Sequence, residues 1–398
     1  MSKKKVCILY TGGTIGMVPT EFGYAPKKDY FGVLLSEIHQ LQHEDLPSWE
    51  VIEFDPLLDS ANVAVTEWNA IGEEIAARYK DYDGFVVLHG TDTMSYTASA
   101  LSFMLEGLDK PVVFTGAQIP LCELRSDGRD NLINSIIIAG EGMVREVCIY
   151  FAGKLIRANR STKISSEDLT AFDSPNYPEL ASVGIDIKYN KNALAMPSRP
   201  KTFRLTKFAQ TPIGVLKLFP GIQFNLFEPM ISSNLRAVVL ETFGSGNIPT
   251  NNIPLVEGIR KSAENGTIIS VCSQCHMGST ILGAYATSND LVESGAVSCR
   301  DMTIEAAIAK LYYLFSCGYD NERIKVASAL QKCTGNARRV LMELCVTNLV
   351  RYKHRIFVCQ HKEGVLRQII GRHLYNLCTE NFADNALGKC LFTERFQT

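Results

Sequence analysis

The sequence predicts an α/β protein with a larger N-terminal parallel-sheet domain, a smaller C-terminal α/β domain and a tail of unassigned fold. Three observations carry this. Short apolar runs alternate with helical patterns through the first ~150 residues, and such alternation implies parallel strands, because a parallel crossover needs a connection of helix length. A second alternating block follows a polar, basic stretch without sustained period. The length of 398 residues also exceeds what one hydrophobic core usually supports.

In order, "VCILY" reads as a strand followed by a polar segment punctuated by Gly and Pro. "TEWNAIGEEIAARYKDY" sets Trp68, Ile71, Ile75, Ala76 and Tyr79 at helical spacing. "GFVVLHG" is a buried strand, "SYTASALSFMLEGL" a helix, "PVVFTG" a strand, "DGRDNLINSIIIAG" a helix and "EVCIYF" a strand. The expected N-terminal domain is 1–190 and the expected linker 191–211. Domain 212–332 contains strands "IGVLKLF", "RAVVLETFG" and "GTIISVCSQ" and helices "TIEAAIAKLYYLFSCG" and "NERIKVASALQK". The tail, 333–398, carries five of the twelve cysteines at spacings that fit no zinc module, and shows no repeat.

A net charge of −2, from 40 basic and 42 acidic residues, gives no electrostatic reason to expect nucleic acid or an acidic membrane surface, so the expected partner is a small molecule. The apolar stretch behind the basic start is too short for a secretory leader, and no run approaches the ~20 apolar residues of a membrane span. A cytoplasmic location is expected, with the cysteines reduced. No metal or other cofactor is expected.

Ligands of open parallel sheets bind beyond the carboxyl ends of the strands. That selects the turns "TGGTIG", "HGTDT" and "TGAQIP". The first lacks the Lys and Ser/Thr that a phosphate loop requires, and its glycines run G-G-x-x-G, which fails the dinucleotide fingerprint. What remains is a tight turn presenting Thr14, either as a helix cap or as a reactive hydroxyl. In the second turn Thr91 and Asp92 sit between a buried strand and a helix; a hydroxyl, a carboxylate and helix-terminal N–H groups there could stabilise a developing oxyanion, or Asp92 or Thr93 could be an ordinary cap.

"YTGGTIGM", "LLDSANV", "GFVVLHGTDTMSYTASALSFML", "PVVFTGAQIPLCELRSDGRDNL" and "NRSTK" together resemble the L-asparaginases, specifically the cytoplasmic type I group of the asparaginase/glutaminase family. The similarity runs over roughly residues 4–332 and stops before the tail. It implies a flavodoxin-like N-terminal domain, a smaller α/β C-terminal domain and cofactor-independent hydrolysis of L-asparagine. By matching positions it implies Thr14 as nucleophile, Tyr24 in a mobile segment as its assistant, and Thr91, Asp92 and Lys163 as catalytic partners. Lys163 could help move a proton to water or to departing ammonia, but its unperturbed pKa of ~10.4 would have to fall for it to serve as a base near neutrality, which leaves an electrostatic task as the alternative. The resemblance assigns Asp59, Ser60, Thr91 and Asp92 to substrate binding, with Ala117 where the family often has serine. Asn247 matches an asparagine presented to a neighbouring subunit's site, which implies a homodimer or homotetramer. Thr162, Glu241 and Cys275 match a regulatory site of some bacterial relatives, where Glu241 replaces an arginine and so reverses the charge offered to a carboxylate.

"CSQCH" also fits a haem-attachment pattern, but it ends a strand of an α/β domain expected in the cytosol. Animal relatives with C-terminal extensions imply a second reading, lysophospholipase activity; no G-x-S-x-G elbow accompanies it. A non-catalytic binding paralogue is the third.

Overall fold

The computed structural model describes residues 3–195, 202–227 and 235–329. The expectations for the tail fall outside these residues. Among them no helix is long and apolar enough to cross a membrane.

Five strands open the chain: β1 (Lys5–Gly12), β2 (Met17–Thr20), β3 (Gly23–Pro26), β4 (Ser48–Leu58) and β5 (Gly84–Leu88). The main sheet has eight strands in the order Ile187–Tyr189, Ala181–Val183, Lys154–Arg157, Val147–Phe151, Val112–Thr115, β5, β1, β4. The five from β4 to Val147–Phe151 are parallel, as the alternation predicts. The last three are antiparallel, a difference from the reading. The cause is local: Ala152 (φ 47°) and Gly153 (φ 83°) form a two-residue reversal with both residues left-handed, the geometry of a tight hairpin. Strand β4 was not read from the sequence. It is an edge strand whose Glu50, Glu53 and Asp55 interrupt the apolar run, yet it pairs with β1 from Lys5↔Ser48 to Tyr10↔Glu53.

Alternate side chains of each central strand enter opposite cores. Cys7 and Leu9 of β1 and Phe85 and Val87 of β5 face a cluster built with helices Val65–Arg78 and Met94–Met104. Val6, Ile8, Tyr10, Val86 and Leu88 face another, built with Phe31–Ser36 and Gly128–Glu141. Burial on both faces is why these strands read as continuous apolar runs.

The smaller sheet is parallel throughout: Ile213–Lys217, Ala237–Thr242, Ile268–Ser273 and Val297–Ser298. Its first three strands and the helices Ile304–Ser316 and Asn321–Ala329 coincide with the predicted elements. Helix Ile253–Glu264 was missed, although Asn252 caps it by accepting from the Leu255 N–H and a proline stands in its first turn. Described parts of the expected linker are packed rather than free: Phe203 stacks on Tyr79 at 3.7 Å, and Phe208 exchanges two backbone bonds with the Asn69 side chain.

Both sheets belong to one compact unit. Across their junction the Arg160 guanidinium pairs with Asp301, Thr162 Oγ1 donates to Glu305 Oε1 at 2.7 Å, and Asn176 Nδ2 donates to the carbonyls of His276 and Asp301.

Candidate active site

The three turns converge because their strands are neighbours and their backbones touch. Gly13 (φ 87°) lies so close to the next turn that an added Cβ would meet the Gly90 nitrogen at 2.5 Å. A Cβ on Gly90 would meet Ser60 Oγ at 2.4 Å, and one on Gly116 the His89 carbonyl at 2.5 Å. Glycine is required here for close approach. Thr11 Oγ1 donates to the Leu88 carbonyl at 2.8 Å, and the His89 N–H to the Thr115 carbonyl at 3.0 Å. One short helical turn, Thr14–Gly16, follows Gly13. It leaves Thr14 half-buried, with no hydrogen bond to its hydroxyl from the described residues.

His89 anchors the second turn from below. Its Nδ1 lies 2.8 Å from the Gly90 carbonyl, which can only accept, so Nδ1 carries the proton and Nε2 accepts from Thr97 Oγ1 at 3.1 Å. Trp68 Nε1 donates to the same threonine oxygen at 3.2 Å. Burial pushes the imidazole pKa down to about 4, so the ring is neutral at physiological pH.

Above this support lies a polar network. Lys163 Nζ donates to Thr91 Oγ1 at 2.9 Å and to Asp92 Oδ1 at 2.8 Å. Thr91 Oγ1 in turn donates to Gln118 Oε1 at 3.1 Å. Lys163 reaches the site from a two-residue strand, Thr162–Lys163, paired with Phe172–Asp173. Consecutive strand residues point to opposite sides, so Thr162 faces the junction and Glu305 while Lys163 faces the turns. Gln118 was not singled out in the sequence, although it follows Ala117 in the third turn. Its own N–H and that of Ile119 both donate to the Asp127 carboxylate, which fixes the turn.

The remaining sequence candidates divide. Ser60 is buried against Gly90, and Asp59 is exposed, its carboxylate accepting from the Ala61 N–H at 3.1 Å. Ala117 is buried. Tyr24 is half exposed on the β2–β3 hairpin, and its hydroxyl donates to Glu123 Oε1 at 2.7 Å rather than to Thr14. This bond to a carboxylate raises the phenol pKa. Asn247 closes a bridge to Phe243 in the smaller half and accepts from Thr287 Oγ1 at 2.8 Å; among the described residues no hydrogen bond links it to the turns. Of the three regulatory candidates, Thr162 is engaged with Glu305, Glu241 lies on strand Ala237–Thr242, and Cys275 is exposed. Cys272 is buried while Cys275 is exposed, so the two cysteines of "CSQCH" do not share an environment. Among the described residues no group of three or more His, Cys, Asp or Glu could hold a metal.

The family profile described as asparaginase, N-terminal, matches residues 5–195, and that of the glutaminase/asparaginase C-terminal domain matches 212–327. The chain belongs to the asparaginase family. It is 41% identical over 327 residues to L-asparaginase 1 of Escherichia coli K12, covering 82% of this chain and 96% of that one. The crystal structure of L-asparaginase I from Vibrio cholerae superimposes with a TM-score of 0.76 at 39% identity, covering 83% of this chain and 98% of that one. The 60 kDa lysophospholipase of Mus musculus is 39% identical over 333 residues, 78% of this chain but only 58% of that protein. As an asparaginase-family chain the molecule carries both halves of the family's two-domain structure, with its hydroxyl, carboxylate and ammonium groups gathered at the carboxyl ends of the main sheet.

Proposed function

We propose that the chain hydrolyses L-asparagine to L-aspartate and ammonia through an acyl-threonine intermediate on Thr14. The observation that carries this reading is the Lys163–Thr91–Asp92 network, set across the Gly13/Gly90 contact from a threonine whose hydroxyl is unengaged. Thr14 Oγ attacks the side-chain amide carbon. Its proton goes to the amide nitrogen, which departs as ammonia, and water then cleaves the resulting ester to give aspartate and restore the threonine. Lys163 donates to both its partners. It polarises Thr91 and offsets negative charge developing in the pocket, rather than serving as a base. Asp92 and Asp59 supply anions for the substrate's α-ammonium, and Ser60 with the backbone around Ala117 supplies groups for the α-carboxylate. Tyr24 assists from the hairpin. The reaction requires only water as co-substrate. The chain works in the cytoplasm as a homo-oligomer, in which Asn247 faces a neighbouring subunit.

The test is ammonia release from L-asparagine by the purified chain and by Thr14→Ala and Thr91→Ala. Each variant is expected to fold and to lose at least ~10² in turnover. Parent-level release by either folded variant overturns its assigned role. Assaying the parent on lysophosphatidylcholine separates the amidohydrolase reading from the activity named for the mouse relative.

A further inference from the structure

Three consecutive residues of the loop after Val112–Thr115 hold three successive parts of the nucleophile-bearing segment. The Leu121 N–H donates to the Ile15 carbonyl at 3.0 Å, next to Thr14. Cys122 Sγ contacts the Met17 carbonyl at 3.4 Å, where the hairpin begins. Glu123 Oε1 accepts the Tyr24 hydroxyl at 2.7 Å, midway along the returning strand. The loop is itself fixed: Arg129, in the first turns of helix Gly128–Glu141, donates through its guanidinium to the carbonyls of Leu121, Glu123 and Leu124. The Glu123 N–H donates to the Pro120 carbonyl at 3.0 Å. By contrast the hairpin tip is tied within itself, Thr20 Oγ1 donating to the Gly23 carbonyl at 2.6 Å and accepting from the Phe22 N–H at 3.2 Å, with Phe22 97% exposed and nothing within 4 Å of an added Cβ on Gly23.

We infer that Glu123 is the positioning residue for Tyr24: it latches the β2–β3 hairpin to the Arg129-stapled loop and so sets where the tyrosine hydroxyl stands relative to Thr14. An exposed hairpin tied within itself still needs an outside contact to fix the tyrosine hydroxyl. A carboxylate on a rigid loop supplies a short, charge-assisted bond at that point. This rests on the catalytic reading of Tyr24 given above and names what controls it.

Two measurements test it, one of them independent of turnover. Hydrogen exchange across 17–26, without substrate, is expected to quicken at least fivefold in Glu123→Ala and to stay near the parent rate in Glu123→Gln, whose amide oxygen can still accept. In kinetics, Tyr24→Phe is expected to lower kcat by ~10² and Glu123→Ala by about tenfold, with the double variant falling no further than Tyr24→Phe. Removing the charge also releases the Tyr24 pKa toward its ordinary value. The alkaline limb of the kcat/KM profile should therefore move to lower pH in Glu123→Gln, a change that loss of structure alone would not produce. Unaltered exchange in Glu123→Ala, multiplicative effects in the double variant, or an unmoved alkaline limb each overturns the inference. If the parent releases no ammonia from asparagine, the catalytic reading fails while hydrogen exchange still decides the latch.

Discussion

Thr91 is defined by what surrounds its oxygen: an ammonium donates to it, and its own proton is directed to Gln118. Motif reading found Thr91 and Asp92 because they stand in a post-strand turn. Lys163 is one of 40 basic residues and had no signal apart from family resemblance, since its partners are 71 and 72 positions away. His89 was passed over for a different reason: its task is to hold the Gly90 peptide from beneath, and only the structure reveals the Trp68–Thr97–His89 chain. That chain makes a prediction about acid. The imidazole pKa falls from an ordinary 6.5 to about 4 in the folded protein, so between those values the unfolded chain binds a proton that the folded chain refuses. Stability from this group is therefore complete above pH ~6.5 and is lost as pH falls toward ~4, in total on the order of 3 kcal/mol. Urea unfolding at pH 7 and pH 5 should show the parent losing roughly 2 kcal/mol more than His89→Gln. Equal losses would remove the buried neutral imidazole from the account.

At the scale of the element, the glycine turn was legible as a tight bend, and the failure of both phosphate patterns left Thr14 as its candidate group. Why two glycines are needed was not legible. Gly12 (φ 123°) meets the Leu58 carbonyl of β4, a strand the reading missed, and Gly13 meets the second turn. Gly13→Ala combines a left-handed φ with a Cβ 2.5 Å from backbone nitrogen, so the turns must part. The expected cost is about 1–3 kcal/mol in stability, with a loss of activity that exceeds it because Thr14 moves with the turn. Gly184→Ala, where nothing lies within 4 Å, serves as the control and should leave both unchanged. Thermal midpoints and ammonia release measured on the pair decide this; a Gly13→Ala variant that matches the control contradicts the close-approach role.

For the whole molecule, the parallel core was legible because strands buried on both faces read as plain apolar runs between helical periods. The antiparallel edge was not, since its reversal depends on Ala152 adopting a left-handed backbone that its residue type does not announce. Nor was the junction, where Thr162 and Glu305 meet across 143 positions. Burial raises the Glu305 carboxyl pKa there, although the Thr162 hydroxyl opposes the shift. Thr162 and Lys163 are adjacent, so a single short strand both ties the two halves together and delivers the ammonium to the site. The proposed acyl-threonine intermediate is the most direct thing to observe. Thr91→Ala, mixed with L-asparagine and quenched in acid, should yield on digestion an aspartyl ester on the peptide containing Thr14, absent from Thr14→Ala. Ammonia release without an ester at Thr14, or an ester on another residue, would contradict the account.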